Sequence, residues 1–218
     1  MAPARRILPN GDHTLLVELD SLTAVLDLYS ELERTRPPGV VDLVPAARTI
    51  GVSVDPAVLP VSVAHGWLSA AEQGEASHGD SVETVELPVR YDGDDLPAVA
   101  ELLGVSVAEV VARHTRTLWR VAFCGFAPGF AYLVVDQGSA GADHGGLVVP
   151  RRATPRTSVP AGSVALAGEF SGVYPRSSPG GWQLIGTTDA VLWNEDARPP
   201  QSPALLNPGT VVRFRESS

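Results

Sequence analysis

The chain has 218 residues, 44% hydrophobic and 19% charged, enough to bury one large core or two small ones and too apolar to be disordered. Sixteen basic residues against 25 acidic ones leave a net charge of −9, which argues against a non-specific electrostatic grip on nucleic acid or an anionic membrane. All sixteen basic residues are arginine, so a phosphate-loop Lys, a Schiff-base Lys, a Ser-Lys amidase pair and a biotin attachment point are all excluded.

Taken in order, residues 14–19 read as a strand, and Ser21 as the cap of a helix with Leu22, Val25, Leu26, Tyr29 and Leu32 on one face. Pro37-Pro38-Gly39 stops that helix. Residues 40–44 and 49–54 are β-branched runs on either side of Pro45. A second helix is expected after Pro56, with Leu59, Val63 and Trp67 on its apolar stripe. Residues 73–80 form a polar loop, and residues 82–89 alternate as a strand. The order βαββαβ predicts a ferredoxin-like split unit over residues 1–88.

Two short helices follow. One covers residues 96–103; the other starts at Ser106, whose spacing to Glu109 is that of a capping box, and runs to His114. Beyond Thr117 the chain breaks into short β-like runs separated by Gly/Pro turns: 118–123, 131–135, 147–149, 163–167, 183–186, 191–193 and 211–214. Many short strands without a long helix predict a β-barrel or sandwich over residues 89–218, and an α+β chain overall.

Three loops between residues 123 and 183 combine Pro and Gly with aromatic, arginine or hydroxyl residues. Pro fixes φ and Gly permits close backbone approach, so these loops are shaped rather than floppy. In the middle loop, Arg151, Arg152 and Arg156 lie beside Pro150 and Pro155. Guanidinium forks bind carboxylate or phosphate in bidentate fashion, which makes this an anion-site candidate; solvated surface arginine and pairing with internal carboxylates are the structural alternatives. Phe126, Phe130, Tyr132 and Trp182 are able to wall a pocket, with Phe123 and Phe126 assigned to the core. Asp92, Asp94, Asp95 and Glu169 are acidic candidates that nothing in the sequence pairs. Cys124, the single cysteine, closes an apolar run and reads as a small buried hydrophobe; one cysteine also fits a reducing cytoplasm. His13, His65, His78 and His144 lack metal-ligand spacing, so no metal site is expected. No leader-like apolar segment and no run of transmembrane length is evident.

Four segments carry a resemblance: Gly125-Phe-Ala-Pro-Gly-Phe-Ala-Tyr-Leu133, Pro150-Arg-Arg-Ala-Thr-Pro-Arg156, Val159-Pro-Ala-Gly-Ser-Val164 and Ser178-Pro-Gly-Gly-Trp-Gln-Leu-Ile-Gly186. In this order they resemble the allophanate hydrolase subunit 1 family, which includes the B subunit of bacterial ATP-dependent 5-oxoprolinase and the sporulation-kinase inhibitors. The resemblance implies a cyclophilin-like β-barrel for residues 89–218. It also implies one component of a cytoplasmic hydrolase complex, inactive alone. Its composite site would form with a C subunit (allophanate hydrolase subunit 2-like) as partner, and an A subunit would finish the reaction. ATP with Mg would act in the complex on a small-molecule substrate, without biotin on this chain. The implied site places Arg151, Arg156 and His114 in catalytic roles. Tyr132, Pro128, Gly129, Trp182, Gln183 and Arg152 would bind substrate or nucleotide. A histidine-kinase inhibitor and half of a urea-type carboxyltransferase or allophanate hydrolase complex are the alternatives. Two stretches depart from the family pattern: Tyr91-Asp-Gly-Asp-Asp-Leu96 lacks its Glu and Pro, and Phe170 stands where Gln is common.

Overall fold

A computed structural model describes residues 5–71, 84–136, 147–198 and 201–217. The chain divides into two compact units, Met1–Gly79 and Asp80–Ser218.

In the first unit, strands β1 (Arg6–Pro9), β2 (Thr14–Glu18), β3 (Val40–Pro45) and β4 (Thr49–Val54) form an antiparallel sheet in the order β1-β2-β4-β3. Helices α1 (Leu22–Arg34) and α2 (Val61–Ala70) pack in the same core. Alternation along β2 and β4 buries Leu15, Val17, Ile50 and Val52, and α1 contributes Val25, Leu28 and Leu32. The Ser21 side chain accepts the Ala24 N–H at 3.2 Å, the cap expected from sequence. The face expected for α2 needs correction. The helix begins at Val61, after a turn in which the Leu59 N–H bonds to Asp55 O, so Ala64 and Leu68 point inward and Val63 is exposed.

The βαββαβ expectation fails at its last strand. Strand β5 (Thr84–Val89) does not join the first sheet; it pairs in parallel with β13 (Val211–Glu216), from Thr84↔Val211 to Val89↔Glu216. The units therefore divide at residues 79/80 rather than 88/89. Alternation identifies a strand but not its partner, and parallel pairing needs a distant one. The polar loop 73–80, His78 and His144 lie outside the described residues.

The second unit continues with α3 (Leu96–Leu103), α4 (Val107–Arg116), β6 (Leu118–Cys124), β7 (Ala131–Val135), β8 (Arg156–Val159), β9 (Ser163–Ala167), β10 (Phe170–Val173), β11 (Ser178–Gly180) and β12 (Gln183–Thr187). Seven strands form one sheet, β12-β9-β10-β7-β6-β13-β5, while β8 and β11 make a two-stranded ribbon. Residues 147–149 and 191–193 supply single bridges, Val149↔Gly168 and Trp193↔Ala204, rather than the expected strands. Ser106 caps α4 by accepting the Glu109 N–H at 3.1 Å.

The edges of the seven-stranded sheet meet. Arg90, just after β5, and Thr187, at the end of β12, exchange backbone hydrogen bonds of 2.8 Å in both directions. Gly93 continues this seam: a Cβ there would run into the backbone of Leu184, Ile185 and Gly186. The next backbone bond is Asp95 N–H to Leu184 O at 3.0 Å. The curled sheet encloses Leu87, Val89, Trp119, Leu133, Val164, Leu166, Ile185 and Phe214, which share a core with Val99, Val110 and Val111 of α3 and α4.

Candidate functional site

The sheet seam and the β8–β11 ribbon bring the arginine loop onto Asp95. Asp95 stands at the start of α3, where Asp ordinarily caps the helix, yet its side chain makes no cap bond. The carboxylate is buried and receives four donors. Arg156 donates from both Nη atoms at 2.8 and 2.9 Å, the Leu184 N–H donates at 2.8 Å, and Arg152 donates from Nη1. Burial alone would raise the Asp95 carboxyl. The Arg156 and Leu184 hydrogen bonds, with the charges of both arginines, hold it below its ordinary value instead. Asp94 lies 3.9 Å from Arg156 but is largely exposed, so solvent screens that pair.

The loop backbone is fixed as well. Gln183, buried in β12, donates from Nε2 to Pro150 O at 3.1 Å, and the Arg152 N–H bonds to Gly181 O at 2.8 Å. Arg151 lies between these two anchored points. Its side chain is exposed, and among the described residues no hydrogen bond or ion pair reaches its guanidinium. Burial raises the Tyr132 and Tyr174 phenols, and the Arg151 charge pulls both partly back, so the cation sits within electrostatic reach of each.

Those tyrosines belong to an aromatic cluster. Phe130 stands edge-on to Tyr132, Tyr174 and Trp182, with ring centroids 5.0, 5.3 and 5.4 Å away. Tyr132 also stacks on Phe123 at 4.4 Å. Phe130, Tyr174 and Trp182 are buried; Tyr132 is half-buried.

The expected residues thus separate. Arg151, Arg152, Arg156, Gln183, Tyr132 and Trp182 come together. Pro128 is exposed on its loop, whereas Gly129 is buried at φ +80°, where a Cβ would press on Leu192 and Trp193; its glycine serves packing. Phe126, expected in the core, is 60% exposed, with φ +69° that an aromatic residue rarely adopts. Cys124 is partly buried, and burial pushes its thiol up.

His114 occupies the interior instead of the loop cluster. It has no exposed surface. Nδ1 lies 2.8 Å from Tyr91 Oη and Nε2 lies 2.8 Å from Ser171 Oγ; the ring stacks on Phe214 at 4.2 Å. Desolvation lowers its pKa from 6.5 to about 3, so the imidazole is neutral at ordinary pH. A ring closed on every side cannot meet a substrate. Tyr174 is the member of the cluster that sequence reasoning misses, and Asp95, one of four acidic candidates, is the one whose partners it does not find. Asp95 is hidden because its partners are 57 and 61 residues away and because its neighbours, Asp92 and Asp94, are exposed.

Residues 5–204 match the family described as carboxyltransferase domain, subdomain C and D. The chain belongs to this family. Its relatives include the 5-oxoprolinase B subunit of Escherichia coli O157:H7, 41% identical over 81% of this chain and 78% of that protein. The corresponding B subunit of Bacillus subtilis (strain 168) is 36% identical over 81% of this chain and 75% of its own length. Among solved structures, TTHA0988 superposes with a TM-score of 0.72 at 36% identity; the match covers 94% of this chain but 40% of that one. The Kluyveromyces lactis urea carboxylase, at 18% identity and a TM-score of 0.72 over 99% of this chain and 22% of its own, shares the fold alone.

Proposed function

We propose that this carboxyltransferase-domain chain is the B subunit of an ATP-dependent 5-oxoprolinase, and that it forms its active site together with a C subunit, while an A subunit finishes ring opening. The observation that carries this reading is the 36–41% identity to proteins named as the B subunit of 5-oxoprolinase across three quarters or more of their length. The site geometry agrees with a small carboxylate substrate. Arg151 supplies the one fork of its loop that is unpaired among the described residues, which matches one carboxylate, and Tyr132 and Trp182 lie in the adjoining aromatic cluster.

The same residues do not fit a nucleoside triphosphate. Arg152 and Arg156 are committed to Asp95, and a single remaining guanidinium cannot match a chain of phosphates. We therefore assign ATP and its Mg to the partner proteins and derive no step through them on this chain. Its own residues bind and orient the carboxylate. We read the second unit as a cyclophilin-like barrel, a reading supported by the Arg90–Thr187 seam. A cytoplasmic location fits the single, unbridged cysteine.

The test is reconstitution. The purified chain alone should neither hydrolyse ATP nor consume 5-oxoproline; both activities should appear when the A and C subunits are added. Turnover by the lone chain would refute the composite site. A reconstituted complex that ignores 5-oxoproline would refute the substrate.

A further inference from the structure

Two arginines share the one buried carboxylate of Asp95, and Asp94 adds only a long, exposed contact to Arg156. A structural ion pair needs only one arginine. Here the second, Arg152, is held by one N–H to Asp95, and its buried Nε has no hydrogen-bond partner among the described residues. An unsatisfied buried donor is costly, so something must hold Arg152 in this position. That hold comes from Asp95 together with the Arg152 N–H bond to Gly181 O.

The consequence falls on Arg151. Its backbone is pinned on both sides, at Pro150 O and at the Arg152 N–H, and its two arginine neighbours in the loop are bound elsewhere. If Arg152 and Arg156 were released, three mobile cations would compete for one anion. With them clamped, Arg151 is the one guanidinium of the loop left exposed and unpaired among the described residues.

We infer that Asp95 is a positioning residue: it clamps Arg152 and Arg156 so that Arg151 alone is presented to the carboxylate of the substrate. The clamp is visible in the chain itself; its consequence for substrate rests on the 5-oxoprolinase reading.

Two measurements test it. The first needs no catalysis. The full chain is treated with phenylglyoxal, which modifies accessible, unpaired guanidinium groups, and each arginine is followed by mass spectrometry. Arg151 should react about tenfold faster than Arg152 and Arg156, and Asp95→Asn should bring the slower two up towards Arg151. Equal reactivity in the parent, or an unchanged pattern in Asp95→Asn, overturns the clamp. The second uses the reconstituted complex. Asp95→Asn should raise KM for 5-oxoproline about tenfold with little change in kcat, and the double variant Asp95→Asn/Arg151→Ala should be no worse than Arg151→Ala. Additive losses would show that Asp95 does not act through Arg151. A complex without 5-oxoproline turnover but with the expected labelling pattern would refute the substrate and leave the clamp standing; normal turnover with flat labelling would do the reverse.

Discussion

Acid should destabilise this protein well before its carboxylates protonate, and His114 is the reason. Its folded pKa, about 3, lies below the 6.5 of an exposed imidazole. Between these values the unfolded chain takes up a proton that the folded chain refuses, so stability falls as pH falls. The contribution is complete above pH 6.5 and shrinks by about 1.4 kcal/mol per pH unit below it. At pH 5 the loss is about 2 kcal/mol, and it levels off only near pH 3. The structure gives the cause. Tyr91 and Ser171 satisfy both ring nitrogens with neutral hydroxyls, and Trp119 and Phe214 pack beside the ring, so an imidazolium would face groups that carry no charge. The assay is urea unfolding at pH about 7.5, 6.5, 5.5 and 5.0, followed by tryptophan fluorescence; Trp119 lies 5.2 Å from the imidazole. His114→Gln should be about 2 kcal/mol less stable near pH 7.5, from lost packing and hydrogen bonds, but should show a flatter dependence on pH. Equal slopes for parent and variant, or a parent indifferent to pH across this range, would refute a neutral buried histidine.

Arg156→Ala removes two of the four donors from a buried carboxylate and should destabilise the second unit by about 3 kcal/mol at neutral pH. That loss should start to shrink as the pH falls past the ordinary carboxylate value and vanish below the depressed Asp95 value, because the carboxylate form is what Arg156 stabilises; chemical unfolding at neutral and strongly acidic pH compares the two. Gly93→Ala forces a methyl into the backbone of β12 and should cost about 3 kcal/mol or open the seam, seen as faster amide exchange at Arg90 and Thr187.

Local signals are legible where local physics decides. Ser21 and Ser106 read as caps because a hydroxyl three residues before a free N–H has few other uses. Alternation exposes β2 and β4 because one face of each is buried. It cannot assign β5 to its sheet, since its partner lies at the far end of the chain. Val63 falls on the wrong face when α2 is started a few residues early, at Pro56 instead of Val61. The arginine loop is legible from its prolines. What the arginines bind is not, because Asp95 sits in a run that looks like any solvated turn, and only the seam carries it inward. Phe126 illustrates the same limit: its hydrophobicity suggests burial, while the loop backbone turns it outward.

The pairing of β5 with β13 also sets an order of events during synthesis. Thr84 finds its partner in Val211, so β5 leaves the ribosome on the order of a hundred residues before the strand that completes it. The first unit already has every strand of its own sheet by Val54, and its last helix follows within a few turns of chain, so it can fold as it emerges. The second must wait with an apolar strand unpaired, and a ribosome that stops before residue 211 releases a chain whose Leu87 and Val89 lack their neighbouring strand.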